Sequence, residues 1–351
     1  MRALLVVNQR ATTTSRRSRD VLVRAMRSEA EVEVAYTARR GHATTLARRA
    51  AAGGVDVVAT HGGDGTVNEV VNGLMAVGTS AAERPALAVV PGGSTNVFAR
   101  ALGIPGDWAE AAGVLLEAMR ESRGRTIGLG QADDRYFTFC AGLGLDAAVV
   151  RRVEQARFRG RTSTPGLYLR AAAGHLMRER DWRRPAITLE VPTGAGAPAH
   201  DAAPAAPAAG GTGAGDARPE PDRIEPGGGD GGSDPAAGGL VEPLATVIIQ
   251  NTAPWTYLGA RPIDPNPDAS FDLGLDVLAV RALGVPSAAR TFGQLLNGRV
   301  PHGKQVLRWH DLPELTLRAQ RPLPFQVDGD YLGERQKVHV VAVPQALRVL
   351  C

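Results

Sequence analysis

Cysteine is almost absent from the sequence. Cys140 and Cys351 are the only two among 351 residues, which argues against the disulfide framework of a small secreted domain. Two unpaired thiols are typical of a protein that stays in a reducing compartment. We therefore expect a cytoplasmic protein.

Long apolar runs are also missing. No stretch approaches the roughly 18 consecutive apolar residues that a membrane-spanning helix requires. The short run in MRALLVVNQR breaks at Asn8, well before the length of a signal-peptide core. Any contact with a membrane is therefore expected to be peripheral.

Several motifs that indicate a particular chemistry are absent as well. The seven histidines lack metal-ligand spacing such as His-Glu-Xaa-Xaa-His, and no glycine loop ends in the Gly-Lys-Ser/Thr of a Walker A motif. The net charge of +4 suits an anionic partner, such as a nucleotide, a nucleic acid or an acidic lipid headgroup. Because no nucleic-acid-binding module is recognisable, we expect no nucleic acid partner.

The pattern of the chain changes once, and this change predicts two domains. Over residues 1–130, apolar runs such as ALLVVN alternate with helical patterns such as RRSRDVLVRAMRSE, as in an α/β domain with a parallel sheet. Over residues 131–351, many short strand patterns are separated by proline and glycine turns, as in a β-sandwich. The predicted fold is therefore an α/β N-terminal domain followed by a C-terminal β-sandwich domain.

One segment of the second domain differs in composition from the rest. Residues 193–243 are rich in glycine, alanine and proline, and they lack aromatic residues and any periodic pattern. Such a segment cannot bury enough apolar surface to offset the entropy lost on ordering. We predict a disordered insert, either a tolerated loop between two strands or a regulatory segment.

The stretch THGGDGTVNEVVNGL, residues 60–74, lies between a strand pattern and a helix pattern. Its glycines allow a ligand to approach the backbone, and the helix N-terminus beyond them favours a bound anion. Thr66 and Glu69 have the spacing of a capping box, with the helix starting at Thr66. The carboxylate of Asp64 would repel a bare phosphate, so it predicts a cation or a reacting hydroxyl beside it.

A second loop of the same design follows the strand pattern ALAVV. In PGGSTNVFARALGIP, Gly92 and Gly93 make the turn, and Ser94 or Thr95 is expected to cap the next helix. Two such loops at the carboxyl ends of parallel strands can converge on one ligand. Either loop alone is typical of an ordinary turn before a capped helix, whereas the pair predicts a nucleotide site.

The two loops together, GGDGTVNEVVNGL and PGGSTNVFARALG, resemble those of the diacylglycerol kinase catalytic domain family. This family includes bacterial lipid kinases and sphingosine kinases and is distantly similar to NAD kinases. The resemblance implies phosphate transfer from ATP, with Mg²⁺, to the hydroxyl of diacylglycerol or a similar lipid alcohol. It also implies an NAD-kinase-like α/β domain and a β-sandwich domain that receives the lipid, with ATP in the cleft between them.

The resemblance implies which residues contact the nucleotide. One follows the first strand, one precedes RRGHA, and the others belong to the two glycine loops. The expected set is Asn8, Thr37, Gly62, Gly63, Asp64, Gly65, Thr66, Asn68 and Ser94. The family usually has Asn-Pro at the first position, whereas Gln9 stands here, so the local turn is expected to differ.

Two segments of the second domain resemble family segments that carry carboxylates. FDLGLDVLAV is similar to an Asp-Gly-Xaa-Leu-Asp segment that holds a metal ion, which makes Asp272 the expected ligand although Leu273 replaces the glycine. FQVDGDYLG is similar to a Val-Asp-Gly-Glu segment with a proposed general base, and Asp330 takes that position with a shorter side chain. Asp64 is the alternative base, as in sphingosine kinases, and otherwise organises the metal. From the residues alone, a hairpin turn is the preferred interpretation at Asp330. A solvated strand end fits Asp272 and Asp276 as well as metal binding does.

The expected partners are ATP, a lipid alcohol and the inner face of the membrane. Residues 151–184 contain ten arginines against three acidic residues, with apolar side chains interleaved. This composition predicts either a surface for anionic lipid or a solvated pair of helices packed on the sandwich. An NAD kinase and a non-catalytic regulator that binds nucleotide or lipid are the alternative functions, and a homodimer is compatible with the sequence.

Overall fold

The structure is a computed structural model. It describes four stretches of the chain, residues 1–158, 185–192, 239–282 and 284–351. The predicted helix over GLYLRAAAGHLMRER lies outside them, together with most of the arginine-rich segment and most of the predicted insert. Within the described part of the chain, no helix combines the length and the apolar character needed to cross a membrane.

The N-terminal part is a parallel sheet with helices on both faces, as the sequence predicts. Its strands are β1 (Arg2–Val7), β2 (Glu31–Tyr36), β3 (Val57–Gly62) and β4 (Ala86–Pro91), in the order β4-β3-β1-β2. Its helices are α1 (Arg16–Met26), α2 (His42–Ala52), α3 (Asp64–Met75), α4 (Val97–Ala101) and α5 (Trp108–Glu121). Because side chains alternate along a strand, Leu4 packs with α2 and α3, whereas Leu5 packs with α1 and α5.

The remaining part is rich in antiparallel strands, which confirms the predicted fold class. In this part the sheet runs in the order β14-β13-β10-β7-β15-β16, and β11 pairs with β12 in a separate ribbon. The strands are β5 (Arg125–Ala132), β6 (Arg135–Phe137), β7 (Cys140–Gly144), β8 (Ile187–Glu190), β9 (Leu240–Leu244), β10 (Thr246–Gln250), β11 (Thr256–Leu258), β12 (Arg261–Ile263), β13 (Leu275–Val280), β14 (Val306–Leu312), β15 (Glu314–Val327) and β16 (Asp330–Leu350). The helices are α6 (Leu145–Phe158) and α7 (Val285–Leu296).

Strand β9 begins inside the segment that was expected to be disordered. Its residues pair with β8 in an antiparallel ladder, with Leu240 opposite Glu190. The prediction of disorder is therefore wrong for residues 240–243, because backbone pairing with a neighbouring strand orders them despite the composition of the segment before them.

Strand β16 joins the two parts of the molecule. The patterns KVHVVAV and ALRVL predict two strands, but a register shift between Val343 and Leu347 lets one strand run through both. The beginning of β16 pairs with β15, and its end pairs in parallel with β4 through Val349 and Leu350. The N-terminal sheet therefore includes residues from far beyond the domain boundary predicted at residue 130.

The predicted capping box of α3 is wrong, because the helix begins earlier and Glu69 is used elsewhere. Gly63 is the N-cap residue, so Asp64 and not Thr66 begins the helix. The Glu69 carboxylate accepts hydrogen bonds from the amides of Gly41 at 2.7 Å and Ala43 at 3.0 Å. These amides belong to the start of α2, whose N-cap glycine has no side chain to satisfy them. Glu69 therefore ties the start of α2 to α3.

The cap predicted for the helix after the second glycine loop is also wrong. The N-cap residue of α4 is Asn96 rather than Ser94 or Thr95, and its own side chain does not cap the helix. The amide of Phe98 donates instead to Asp64 Oδ1 at 3.2 Å. A carboxylate from the first glycine loop thus caps the helix that follows the second.

A buried carboxylate connects α3 with the second part of the molecule. Asp328 and Gly329 form the turn between β15 and β16, with φ of 48° and 77°, which confirms the predicted hairpin. Five groups donate hydrogen bonds to the Asp328 carboxylate, namely Asn68 Nδ2 (2.7 Å), Thr138 N (2.7 Å), Thr138 Oγ1 (2.8 Å), Phe139 N (3.0 Å) and Cys140 N (3.1 Å). The hairpin is therefore held at one position relative to α3.

Replacement of Asp328 by Asn tests this connection. Asparagine tolerates the left-handed backbone conformation, with φ of 48°, so the change acts on the side chain alone. The NH₂ group of the asparagine side chain is a donor, and it would face buried N–H and O–H groups that are donors themselves. Because these groups would lose their acceptor, we expect the free energy of unfolding to fall by about 3 kcal/mol. Urea denaturation measures the difference.

The matched control is Asp133→Asn. Asp133 also has a positive φ, 51°, but its carboxylate accepts a hydrogen bond at an exposed site, from His339 N at 3.0 Å. We expect this variant to lose no more than about 0.5 kcal/mol. Equal stability of the two variants would contradict the role given to Asp328.

A second prediction concerns the cap that Glu69 supplies to α2. Glutamine offers one carbonyl oxygen to the two amides, so Glu69→Gln should loosen the start of α2 by about 1 kcal/mol. Hydrogen exchange at Gly41 and Ala43 should accelerate about fivefold as a result. Glu83→Gln is the control, because Glu83 accepts from Thr79 N at 2.6 Å in an exposed loop. The cap is refuted if both variants leave the exchange at Gly41 and Ala43 unchanged.

Candidate functional site

The two glycine loops lie against each other. Gly92 N donates to Gly62 O at 2.8 Å. A Cβ atom on Gly93 would lie 2.7 Å from the Cα of Gly63, which is closer than a side chain allows. Glycine is therefore required where the two backbones touch. The contact brings the starts of α3 and α4 together at the carboxyl ends of β3 and β4.

Asp64 lies between the two loops and is partly buried. Burial raises the pKa of Asp64 to about 6, with a smaller upward contribution from the negative charge of Asp328. The amides at the start of α4, which donate to Asp64, act in the opposite direction. A desolvated carboxylate of this kind gains most from a cation or a proton placed next to it.

Asn8 and Thr66 meet across the first loop. Asn8 Nδ2 donates to Thr66 Oγ1 at 3.0 Å, and Thr66 is buried in the first turn of α3. Asn8 Oδ1 accepts from Arg10 N at 3.0 Å, so the turn after β1 forms around the asparagine although Gln9 replaces the usual proline. Asn8 therefore lies at the loop, as the resemblance implies.

The hydroxyl of Thr14 is a feature that the sequence patterns missed. Among the described residues, Thr14 Oγ1 has no hydrogen-bond partner although the atom is buried. It lies beside the second loop, 2.8 Å from the position that a Cβ on Gly92 would take. No motif singles out this threonine in the stretch ATTTS, so only the folded structure reveals an unsatisfied donor at the site.

Asn68 is placed differently from the other expected nucleotide contacts. It is buried, and its amide nitrogen donates to Asp328 Oδ2 at 2.7 Å and to Tyr136 O at 3.0 Å. Its carbonyl oxygen accepts from Arg135 Nη2 and from Asn72 Nδ2. Because both ends of the carboxamide are engaged, its position favours a structural role over contact with a nucleotide.

Thr37 and Ser94 follow the two outer strands of the order β4-β3-β1-β2, Thr37 after β2 and Ser94 after β4. Thr37 N donates to Val7 O at 3.0 Å, which places it beyond β2 and near the end of β1. Ser94 is exposed in the second glycine loop. Both positions are accessible at the carboxyl edge of the parallel sheet, where the resemblance places the nucleotide.

Asp330 faces the first glycine loop from the second part of the molecule. Its Oδ2 atom lies 3.5 Å, and its Oδ1 atom 3.6 Å, from the position that a Cβ on Gly65 would take. Arg40 Nη2 lies 3.4 Å from Asp330 Oδ2 and 3.6 Å from Glu154 Oε1. The side chain of Asp330 is only 22% exposed. The two candidate elements, glycine loop and carboxylate, are therefore adjacent in the structure.

Arg40 was not singled out from the sequence, although it belongs to the RRGHA segment. The Glu69 cap fixes the segment at Gly41, directly after Arg40. Arg40 thus reaches across to Asp330 from a point that α3 itself holds in place. A basic residue directly before a glycine N-cap is the signal that could have identified it.

Asp272 lies apart from this constellation. Its side chain is 63% exposed and 4.0 Å from Arg125 Nη2. The nearby Asp276 is buried and engaged, since His310 Nδ1 lies 2.9 Å from its Oδ1 and Asp311 N donates to the same oxygen at 3.1 Å. Burial raises the pKa of Asp276, and the hydrogen bond to Asp276 raises the pKa of His310.

A magnesium ion fits the residues present if it binds together with a nucleotide. In the described stretches, no group of three or more His, Cys, Asp or Glu side chains could hold a metal ion by itself. Magnesium beside a nucleotide needs only one or two carboxylates, with phosphate oxygens and water completing its shell. Asp64 and Asp330 are the carboxylates that border the first glycine loop.

Comparison with protein families gives a match in the N-terminal part. Residues 2–132 match the model of the diacylglycerol kinase catalytic domain. This range contains both glycine loops and ends with β5. The match therefore covers the parallel strands β1 to β4 and leaves out the turn that carries Asp272 and the strand that begins at Asp330.

Individual relatives match over a similar range. The diacylglycerol kinase of Bacillus subtilis (strain 168) is 45% identical over 105 residues, which are 30% of this chain and 32% of that protein. The Chromohalobacter salexigens protein named "Probable lipid kinase YegS-like" is 37% identical over 131 residues, which are 37% of this chain and 40% of that protein. These alignments span well under half of the length of the relatives.

Among solved structures, a diacylglycerol kinase from Bacillus anthracis str. Sterne has the same fold. The superposition covers 99% of this chain and 96% of that one, with a TM-score of 0.67 and 18% sequence identity. It extends the likeness from the matched N-terminal range to the strand-rich part. The predicted resemblance is confirmed for the N-terminal part: residues 2–132 match the diacylglycerol kinase catalytic domain, and a protein named diacylglycerol kinase aligns with 30% of this chain.

Proposed function

We propose that the protein is a lipid kinase that transfers the γ-phosphate of ATP, with Mg²⁺, to the hydroxyl of diacylglycerol or a similar lipid alcohol. The observation that carries the proposal is the position of Asp330 beside Gly65. A glycine loop that suits a phosphate chain thereby has a carboxylate next to it that suits an acceptor hydroxyl. The relatives named diacylglycerol kinase and lipid kinase support the same class of substrate.

The glycine loops supply the phosphate site. The first turn of α3 directs its unpaired amides toward the ligand, and the positive end of this 12-residue helix favours an anion. The backbone contact between Gly62 and Gly92 leaves no side chain to block the approach of phosphate groups. Asn8, Thr37 and Ser94 lie around the same edge and are the proposed contacts for the rest of the nucleotide.

The magnesium ion would be held by Asp64, with phosphate oxygens and water completing its shell, which leaves Asp330 free for the acceptor. The metal that the resemblance implies at Asp272 would be a separate ion, because Asp272 lies apart from the glycine loops. When bound, Mg²⁺ neutralises negative charge on the phosphates. Asp64 suits this task because its desolvated carboxylate is stabilised by a neighbouring cation. Its Oδ1 atom is already engaged with the start of α4, so the other oxygen is the one available to the ion.

Asp330 is the proposed general base. It accepts the proton of the lipid hydroxyl while the hydroxyl oxygen attacks the γ-phosphorus. The bond between the γ-phosphorus and the bridging oxygen breaks, ADP leaves with that electron pair, and the proton passes from Asp330 to solvent. Arg40 holds the Asp330 carboxylate at the mouth of the loop from 3.4 Å. Asp64 is less well placed for this step, because an amide already binds one of its oxygens.

Replacing Asp330 by Asn tests the base. We expect kcat to fall by about 100-fold or more with ATP affinity nearly unchanged, because the amide cannot accept the proton. Phosphate transfer from labelled ATP with Mg²⁺, to a panel of lipids and to NAD, provides the measurement. Asp330→Glu is the matched variant, since it keeps the carboxylate and should retain most of the turnover.

Each outcome of this assay is informative. Undiminished turnover in Asp330→Asn would remove Asp330 from the mechanism. Transfer to NAD instead of lipid would replace the proposed activity with that of an NAD kinase. Binding of ATP by the natural protein without transfer to any acceptor would indicate a non-catalytic regulator.

Asp64→Asn should separate stability from activity. The pKa of about 6 means that folding favours the neutral carboxyl, so ionised Asp64 destabilises the protein, with the full effect above pH 6 and none below about pH 4. The asparagine oxygen still accepts from Phe98 N. We expect the variant to lose turnover, yet to gain about 1–3 kcal/mol of stability at pH 8.

Thermal unfolding at two pH values checks this sign. The difference in Tm between Asp64→Asn and the natural protein should be positive at pH 8 and should vanish near pH 4. A variant that is less stable at pH 8, or one that keeps its turnover, would show that Asp64 is not a desolvated carboxylate with a role in the reaction.

A further inference from the structure

Residues 277–310 contain no aspartate or glutamate, although they span α7 and the start of β14. The chain as a whole has 40 basic and 36 acidic residues, so an acid-free stretch of this length concentrates positive charge. The basic residues in it are Arg281, Arg290, Arg299, Lys304 and Arg308. Positive charge without interspersed carboxylates indicates a surface for an anionic partner.

Four exposed cations belong to this stretch or lie against it. We call them the basic face: Arg261 from β12, Arg290 from α7, and Arg299 and Lys304 from the turn that follows α7. Within the described stretches of the chain, none of the four has a carboxylate at ion-pair distance. Their charge is therefore not neutralised locally.

Two contacts bring the basic face together. Arg261 Nη2 lies 3.4 Å from the position that a Cβ on Gly298 would take. The guanidinium carbon of Arg290 lies 3.4 Å from the corresponding position on Gly303. Both guanidinium groups therefore lie against the turn that carries the other two cations, which makes the four residues one surface.

The opposite side of α7 is packed inside the protein. Ala288 is buried in a cluster with Leu145 of α6, and Phe292 packs against the same cluster. The basic face consequently points outward from α6. The same helix α6 carries Glu154, whose Oε1 accepts from Tyr331 N at 3.3 Å, next to Asp330. One helix thus connects the basic face with the proposed acceptor site.

We propose that the basic face docks on an anionic phospholipid bilayer. This rests on the proposed function, because a kinase whose acceptor is a lipid alcohol must meet its substrate at a membrane. Each basic residue near an anionic membrane surface strengthens binding by roughly fivefold, so a few such residues give reversible attachment. Because the proposed acceptor is a lipid alcohol, the bilayer that carries it is the anionic partner favoured over a nucleic acid.

The test is sedimentation of the full-length protein with lipid vesicles in the absence of ATP. Vesicles of phosphatidylcholine alone are compared with vesicles of equal parts phosphatidylcholine and phosphatidylglycerol. We expect binding to the second kind only, weakened by salt. The variant Arg290→Gln/Arg299→Gln/Lys304→Gln should bind about 100-fold more weakly, by the same fivefold factor per residue.

The matched control is Arg16→Gln/Arg24→Gln/Arg27→Gln at α1. These three arginines are also exposed, so the net charge changes equally while the basic face stays intact. The control should bind anionic vesicles within about threefold of the natural protein, since long-range charge is screened. Equal losses in the two triple variants, or no binding by the natural protein, would overturn the docking surface.

Two further measurements separate this proposal from the proposed function. Transfer to a short-chain diacylglycerol in detergent micelles should be the same in the natural protein and in the basic-face variant, which supports a docking role. If the natural protein binds anionic vesicles through the basic face but phosphorylates no lipid, the docking surface stands and the kinase function fails. If the variant loses affinity for duplex DNA and keeps its affinity for vesicles, the face binds nucleic acid and the proposal is wrong.

Discussion

The geometry of the site depends on one buried carboxylate. Asp328 accepts five hydrogen bonds, one from α3 and four from the residues around the start of β7. Burial raises the pKa of this carboxyl, so its charge persists only while these donors stay in place. Asp330 follows two residues later in the same hairpin. The donors that satisfy Asp328 therefore also set the distance between Asp330 and the first glycine loop.

Near Asp328, the starts of two helices are capped by polar side chains from another helix and not by residues of their own. Asp64 caps α4 and Glu69 caps α2, although both residues belong to α3. The starts of α2 and α4 are thereby both fixed to α3. A site built in this way keeps the amides of the first glycine loop, Arg40 and Asp330 in a constant relation, which suits the proposed phosphate transfer, a reaction accelerated mainly by positioning and charge.

The sequence was sufficient to predict most helices and strands and the positions of the two glycine loops. Periodicity predicted the parallel sheet, its helices and the hairpin at Asp328, because each depends on local patterns and turn residues. The caps failed because Glu69 and Asp64 satisfy amides that are distant in sequence, which no spacing rule contains. The buried state of Asn68 and the contact of Arg40 with Asp330 likewise arise only when the two parts of the chain pack together. Short range patterns do not encode such pairings.

The ladder between β4 and β16 pairs Leu87 with Val349, two positions that are 262 residues apart in the sequence (349 − 87). During synthesis, this edge of β4 therefore stays unpaired until β16 has been made. An unpaired edge of an apolar strand can pair with a wrong strand. Contacts this distant along the chain slow folding, since a large loop must close before they form. The parallel sheet of the N-terminal part therefore gains its full edge pairing only after β16 has been synthesised.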